Sequence, residues 1–182
     1  MAVKIGPMVT GRDFKIEELD VSVEMRPLDE LPADLVPALN YWRSITPRGR
    51  VGPRWGDFDL MRLTLSYLPT AVVVDYDARD RTFRYRFWGS RLTPVFGKDL
   101  TGKTFDDAPG VFPRLAHKTY SLVVEQMAPC LIRFWVTSDG KTSPCQTAFR
   151  MPLSEDGDTV SGVVSLLLLE YKKHLWERHL HR

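Results

Sequence analysis

Apolar positions recur along this chain with two different periods, and the switches between them mark out its elements. In "DLVPALNYWRSI", Leu35, Leu39 and Trp42 fall at i, i+4 and i+7, one face of a helix. Asp34 stands where an N-cap is expected, and Pro37 falls in the first turn, where its missing N–H costs nothing. The loop "TPRGRVGPRWG" follows. "DFDLMRLTLSYLP" then carries a second helical stripe of Phe58, Met61, Leu65 and Leu68, with Asp57 or Asp59 as cap and Pro69 as terminator. The period next drops to two. "AVVVDY" (71–76) is a continuous apolar run that ends in the turn "DARD". "RTFRYRFWG" alternates, with Phe83, Tyr85 and Phe87 on one face and Arg84, Arg86 and Trp88 on the other. These two segments predict a hairpin. A broken stretch rich in glycine and proline, "SRLTPVFGKDLTGKTF", predicts short helical pieces and turns. Helical spacing returns in "GVFPRLAHKTYSLVVEQM" through Phe112, Leu115, Thr119, Leu122 and Val123, bounded by glycine and proline.

Three more strands complete the pattern. "CLIRFWVTS" (130–138) turns at Asp139-Gly140, a strong hairpin signal. "SPCQTAFRMPL" (143–153) turns at "SEDGD", and "TVSGVVSLLLLEY" (159–171) is the most apolar of all. Turns this short join antiparallel neighbours. Residues 1–30 form an extension read as partly irregular, although alternation at Leu19, Val21 and Val23 allows an extended segment. Residues 31–171 form the domain and 172–182 a tail, with Tyr171, Leu175 and Trp176 toward one side. The expected class is α+β: a five-stranded antiparallel sheet, helices inserted between its second and third strands, and N-terminal helices before it. Such a sheet buries one face under the insert and needs cover on the other. The N-terminal helices and the tail can supply that cover, from the same chain or from a second copy.

Composition narrows the function. A chain of 182 residues buries a full core without metal or disulfide staples. The net charge of +2 is too mild to argue for nucleic acid. Cys130 and Cys145 have neither a Cys-x-x-Cys arrangement nor zinc-ligand spacing, and read as two buried thiols. The longest apolar run, "VVSLLLL" (163–169), falls far short of the ~20 residues that cross a bilayer. No signal peptide stands at the N-terminus, so a cytoplasmic protein is expected. For catalysis there is no Gly-x-Ser-x-Gly, His-Glu-x-x-His or P-loop. His117, His174, His179 and His181 are the only histidines, and three of them lie in the tail.

The order of elements resembles the PAS fold, whose sheet is crossed by helices between its second and third strands. The motifs resemble those of a small PAS-like family of proteobacteria, largely of unassigned function. They are Tyr41 and Trp42; Gly49, Arg50 and Pro53; Asp57 and Asp59; Tyr85 and Arg86; Gly89, Arg91 and Leu92; and Gly97, Leu100, Thr101 and Gly102, with "MPLSEDG" before the last strand. The resemblance spans residues ~35 to ~170. It implies a cavity between the inserted helices and the inner face of the sheet, where relatives hold heme, flavin or small metabolites. The residues expected to line a ligand there are Tyr85, Phe87, Arg91, Leu115, Thr119 and Phe134.

Each candidate has a plainer reading beside the functional one. Arg91, at the expected cavity mouth, suits a carboxylate or phosphate, or a salt bridge to Asp106 or Asp107. His117 lies on the helix that carries the heme ligand in heme-binding PAS proteins, and is equally a solvated polar residue. A cysteinyl-flavin adduct would need a cysteine within 83–129, where none occurs; noncovalent flavin stays open, and the cofactor is unassigned. Arg43, Arg48, Arg50 and Arg54 could meet a phosphate, a cyclic dinucleotide or an acidic partner, or be solvated beside the next acids. The reading reached is a sensor or adaptor without catalytic output. It would shift the packing of its flanking helices on ligand or partner binding, and report through Leu39, Trp42, Phe58, Met61 and Trp176, as a homodimer, to an unknown signalling protein. Two alternatives stand beside it. One is a pure interaction module whose cavity is filled by Phe83, Tyr85, Phe87 and Phe134. The other is a small-molecule enzyme, for which only Arg91 and Tyr85 offer themselves, with no acid.

Overall fold

The computed structural model describes residues 13–16, 21–108, 112–138 and 141–170. The Asp139-Gly140 turn, the glycine-proline start of the long helix and the tail with Trp176, His174, His179 and His181 lie outside them. The described chain forms two N-terminal strands, β1 (Asp13–Ile16) and β2 (Val21–Arg26), and a helix α1 (Val36–Ile45). The hairpin β3 (Ala71–Asp77) and β4 (Thr82–Trp88) follows. Then come a one-turn α2 (Thr93–Phe96), the long α3 (Phe112–Gln126), and the strands β5 (Cys130–Ser138), β6 (Lys141–Leu153) and β7 (Gly162–Leu169).

All seven strands join one antiparallel sheet in the order β1-β2-β5-β6-β7-β3-β4. The five expected strands are there, with α2 and α3 between the second and third of them. The fold is α+β and PAS-like. Two strands are additional. The alternation at Val21 and Val23 is realised as β2, which pairs along β5 from Val21↔Val136 to Arg26↔Leu131 and buries both valines. The sheet is open. Its β4 edge is covered by the loop 102–104, where Tyr85 N–H donates to Lys103 O and Gly102 N–H donates to Tyr85 O.

The second predicted helix does not form. Residues 55–70 run as three 3-10 turns, Trp55–Asp57, Leu60–Arg62 and Leu68–Thr70. The Asp59 carboxylate accepts the Met61 N–H, a local bond that competes with helix. The buried residues are Phe58, Leu63 and Tyr67, while Met61 and Leu65 of the expected stripe are exposed. Nor does Asp34 cap α1. The chain enters α1 through a 3-10 turn, Ala33–Leu35, so Leu35 takes the cap position and no side chain bonds there.

Alternation along the strands sorts side chains into two cores. One lies under α2 and α3. The other lies under the N-terminal cover, where Leu35, Leu39, Trp42, Phe58, Leu63 and Tyr67 pack on Val73, Leu131, Phe149, Met151, Val164 and Leu166. Trp42 Nε1 donates to Pro152 O over 2.8 Å and ties α1 to β6. The outer sheet face is thus covered by its own chain. Among the described residues this removes the need for a second copy as cover, and of the expected reporting residues Leu39, Trp42 and Phe58 are buried in this core while Met61 is exposed. No described helix is long and apolar enough to cross a membrane.

Candidate ligand cavity

A single bulge decides which side chains reach the space beneath α3. Across β3 and β4, Val73 pairs with Phe87 but Val74 pairs with Tyr85, leaving Arg86 as the extra residue. Phe83 and Tyr85 therefore face α3, Phe87 faces the N-terminal cover, and Trp88 turns back under α3. Gly89 makes the next turn possible. A Cβ there would sit 2.4 Å from Pro69 O.

On the α3 side, register aligns one row across the sheet: Cys130, Arg150, Ser165, Val72 and Trp88. Arg150 occupies the middle of that floor and is only 3% exposed. Above it the Tyr120 ring of α3 lies 3.7 Å from the guanidinium carbon, and Ser165 Oγ donates to Tyr120 Oη over 2.9 Å. Beside them is a cavity of about 50 Å³. Arg150, Gln146, Tyr85, Thr119 and Trp88 contribute polar atoms to its walls, and Phe96, Phe112, Leu115, Phe134 and Leu167 give it apolar ones. A water needs roughly 10–15 Å³ of such space, so the chamber takes on the order of four water-sized groups.

Some of the lining residues carry donors without partners. Among the described residues, four buried side-chain nitrogens have no hydrogen-bond partner: Arg150 Nε, Arg150 Nη1, Trp88 Nε1 and Arg133 Nε. Three of the four belong to residues that line this one cavity. A buried N–H left unmade costs about 1–3 kcal/mol. Cation–π contact with Tyr120 offsets part of the cost of burying the charge, but a ring face does not satisfy in-plane N–H groups. No acidic side chain among the described residues supplies a counter-charge. Burial pushes the Tyr85 and Tyr120 hydroxyls up from their ordinary values, against the pull of Arg150. Burial likewise raises the Cys130 thiol to about 11 and the Cys145 thiol to about 12. All four groups are therefore neutral near pH 7. Desolvation lowers the Arg150 pKa, yet a guanidinium keeps its proton.

Of the residues expected around a ligand, Tyr85, Leu115, Thr119 and Phe134 line this chamber. Thr119 Oγ1 donates back to Leu115 O over 2.7 Å, so its proton is already used. Phe87 is on the opposite face, because of the bulge. Arg91 lines a separate open groove of about 510 Å³ with Asp34, Tyr67 and Pro94. It bridges neither acid proposed for it. Asp107 closes a capping box with Thr104, and Asp106 meets His117 Nε2 at 3.2 Å. His117 is directed to that exposed contact and is not among the chamber's lining residues. Phe83 stacks on Phe105 at 4.8 Å, leaving the chamber open. In the basic loop, Arg54 pairs with Asp57 of the next segment, as the plainer reading has it, whereas Arg50 pairs with Asp158 in the turn between β6 and β7. Among the described residues no three His, Cys, Asp or Glu side chains gather as a metal site. Sequence reasoning missed Arg150, Trp88, Gln146 and Tyr120. The available signal was an arginine set between Phe149 and Met151 in an apolar strand.

Fold and cavity together define a PAS-like α+β domain with a chamber between α3 and the sheet. Among solved structures, the PAS domain of BvgS from Bordetella pertussis is similar to this chain at 19% identity, covering 60% of this chain and 83% of that one, with a TM-score of 0.35. A likeness so distant carries no argument about ligand or role. No family model and no curated protein matches the sequence.

Proposed function

We propose that this protein is a sensory or adaptor domain that takes a small molecule into the chamber beneath α3 and relays its presence by protein contact. One observation carries the reading: three partnerless buried donors belong to residues that line one cavity. Native proteins pair nearly all such groups, and a bound molecule is the partner this wall lacks. The relay is built into β6. Arg150 faces the chamber, its neighbours Phe149 and Met151 face the N-terminal cover, and Pro152 holds Trp42. A ligand that repositions the floor therefore acts on α1 through one strand. The proposal includes no catalytic output: the lining carries no carboxylate, and burial holds its two phenols, Tyr85 and Tyr120, in their neutral forms.

The interaction-module reading draws on the modest cavity volume of about 50 Å³. Native mass spectrometry of purified protein, joined to a thermal-shift screen of small metabolites, separates the two. The sensor reading expects a saturable rise in melting temperature that is lost in Ala116→Phe, which fills the chamber. A screen in which no compound stabilises the wild type at millimolar concentration rejects it.

A further inference from the structure

We propose that the chamber's ligand is a small carboxylate whose charge rests on Arg150. This rests on the chamber being a ligand site, and three properties of the wall select the ligand class.

The first is charge. Arg150 is a permanent cation at the centre of the sheet, 3% exposed. Buried charges in proteins are ordinarily paired. Its surroundings are Tyr120, Tyr85, Cys130, Ser165 and Gln146, and no acidic side chain among the described residues contacts it. The phenols and the thiol cannot serve as the missing anion, since burial holds each in its protonated form. The counter-ion must come from outside the described wall.

The second is hydrogen-bond polarity. The unbonded groups Arg150 Nε, Arg150 Nη1 and Trp88 Nε1 are all donors. A ligand that satisfies them brings acceptors. Cations and donor-rich amines are excluded on both counts, and a carboxylate meets both with charge-assisted bonds.

The third is shape. Space for about four water-sized groups suits a carboxylate with a chain of one to three carbons. The apolar walls, Phe96, Phe112, Leu115 and Phe134, suit the alkyl part and give a naked inorganic anion nothing to bond. Trp88 stands three strands from Arg150 in the same row, ~14 Å away at the backbone. It can take a second oxygen at the far end, as in a short hydroxy or oxo acid.

The experiment titrates the full-length 15N-labelled protein with propionate, propionamide and propylammonium, following the Arg Nε–Hε resonances and the melting temperature. Propionate is expected to move one slowly exchanging Arg Nε–Hε signal, absent in Arg150→Met, and to stabilise the protein saturably. Propionamide should bind at least tenfold more weakly, the loss that goes with a charge-assisted bond, and propylammonium should not bind. Arg150→Met should lose at least tenfold in propionate affinity. Trp88→Phe should weaken 3-hydroxypropionate, whose hydroxyl lies at the end away from the carboxylate, by more than it weakens propionate. Equal binding of propionate and propionamide by the wild type would overturn the carboxylate assignment while leaving the chamber a ligand site. Unaltered propionate binding by Arg150→Met would do the same. No binding of any of the three, with the Arg Nε–Hε signals unmoved, would overturn the carboxylate assignment, and the metabolite screen then decides separately whether the chamber is a ligand site. The wild-type comparison decides even where a variant fails to fold.

Discussion

Trp42 joins the N-terminal cover to the sheet, and removing it in two steps tests whether that cover is part of the folding unit. The residue is 7% exposed, packs on the outer core and donates Nε1–H to Pro152 O over 2.8 Å. Trp42→Phe keeps most of the apolar contact and deletes the donor facing that buried carbonyl. The expected cost is ~1–3 kcal/mol. At about 2–4 °C per kcal/mol for a domain of this size, the melting temperature should fall by roughly 2–12 °C. Trp42→Ala adds a cavity between α1 and β6 and should cost ~3–5 kcal/mol, a large part of a typical stability of about 5–15 kcal/mol. Urea unfolding followed by circular dichroism measures both, without relying on tryptophan emission. The wild-type midpoint should also be independent of protein concentration, because the cover belongs to the same chain. A Trp42→Phe change within about 0.3 kcal/mol of wild type would refute docking of α1 on β6. A midpoint that climbs with concentration would place a second copy on this face.

Two further predictions follow from local geometry. Gly89→Ala should destabilise by ~2–3 kcal/mol through overpacking, because the new Cβ meets backbone at 2.4 Å from Pro69 O and 2.9 Å from Ala71 O; an unchanged urea midpoint would contradict this. Asp156, in the turn between β6 and β7, accepts from the Thr159 hydroxyl, the Thr159 and Asp158 amides and Ser154, and these bonds hold its carboxyl well below the usual range. A carboxyl depressed in the fold contributes stability above its unfolded pKa of about 3.9, and that contribution is lost as pH falls below this value. The melting temperature should therefore drop more steeply below pH ~4 in the wild type than in Asp156→Asn, and parallel curves would show that the turn adds nothing.

The elements with an unambiguous period were legible in the chain. Leu115, Thr119, Leu122 and Val123 mark one face of α3, and the apolar runs of β3 and β7 stop at clear turn residues. Residues 57–69 misled because their spacing fits a helix, while Asp59 bonds locally to Met61 N–H and the chain buries Phe58, Leu63 and Tyr67 instead. The site was half legible. Tyr85, Leu115, Thr119 and Phe134 follow from strand parity and helix face. Phe87 and Trp88 exchange faces because one extra residue, Arg86, enters the ladder, and no feature of "FRYRFWG" announces the bulge.

By itself, then, the sequence determined the order of the five central strands with α1 and α3, the antiparallel meander of β5, β6 and β7 and the apolar face of α3, because these are read from neighbours a few residues apart. Which strand lies beside which, where the bulge falls, and that Arg150 stands in a row with Trp88 beneath Tyr120 were decided by tertiary structure. Strand register joins residues more than sixty positions apart in the chain, such as Val72 and Trp88 with Ser165 and Arg150. A buried cation without a counter-charge among the described residues becomes visible only when the groups around it are known.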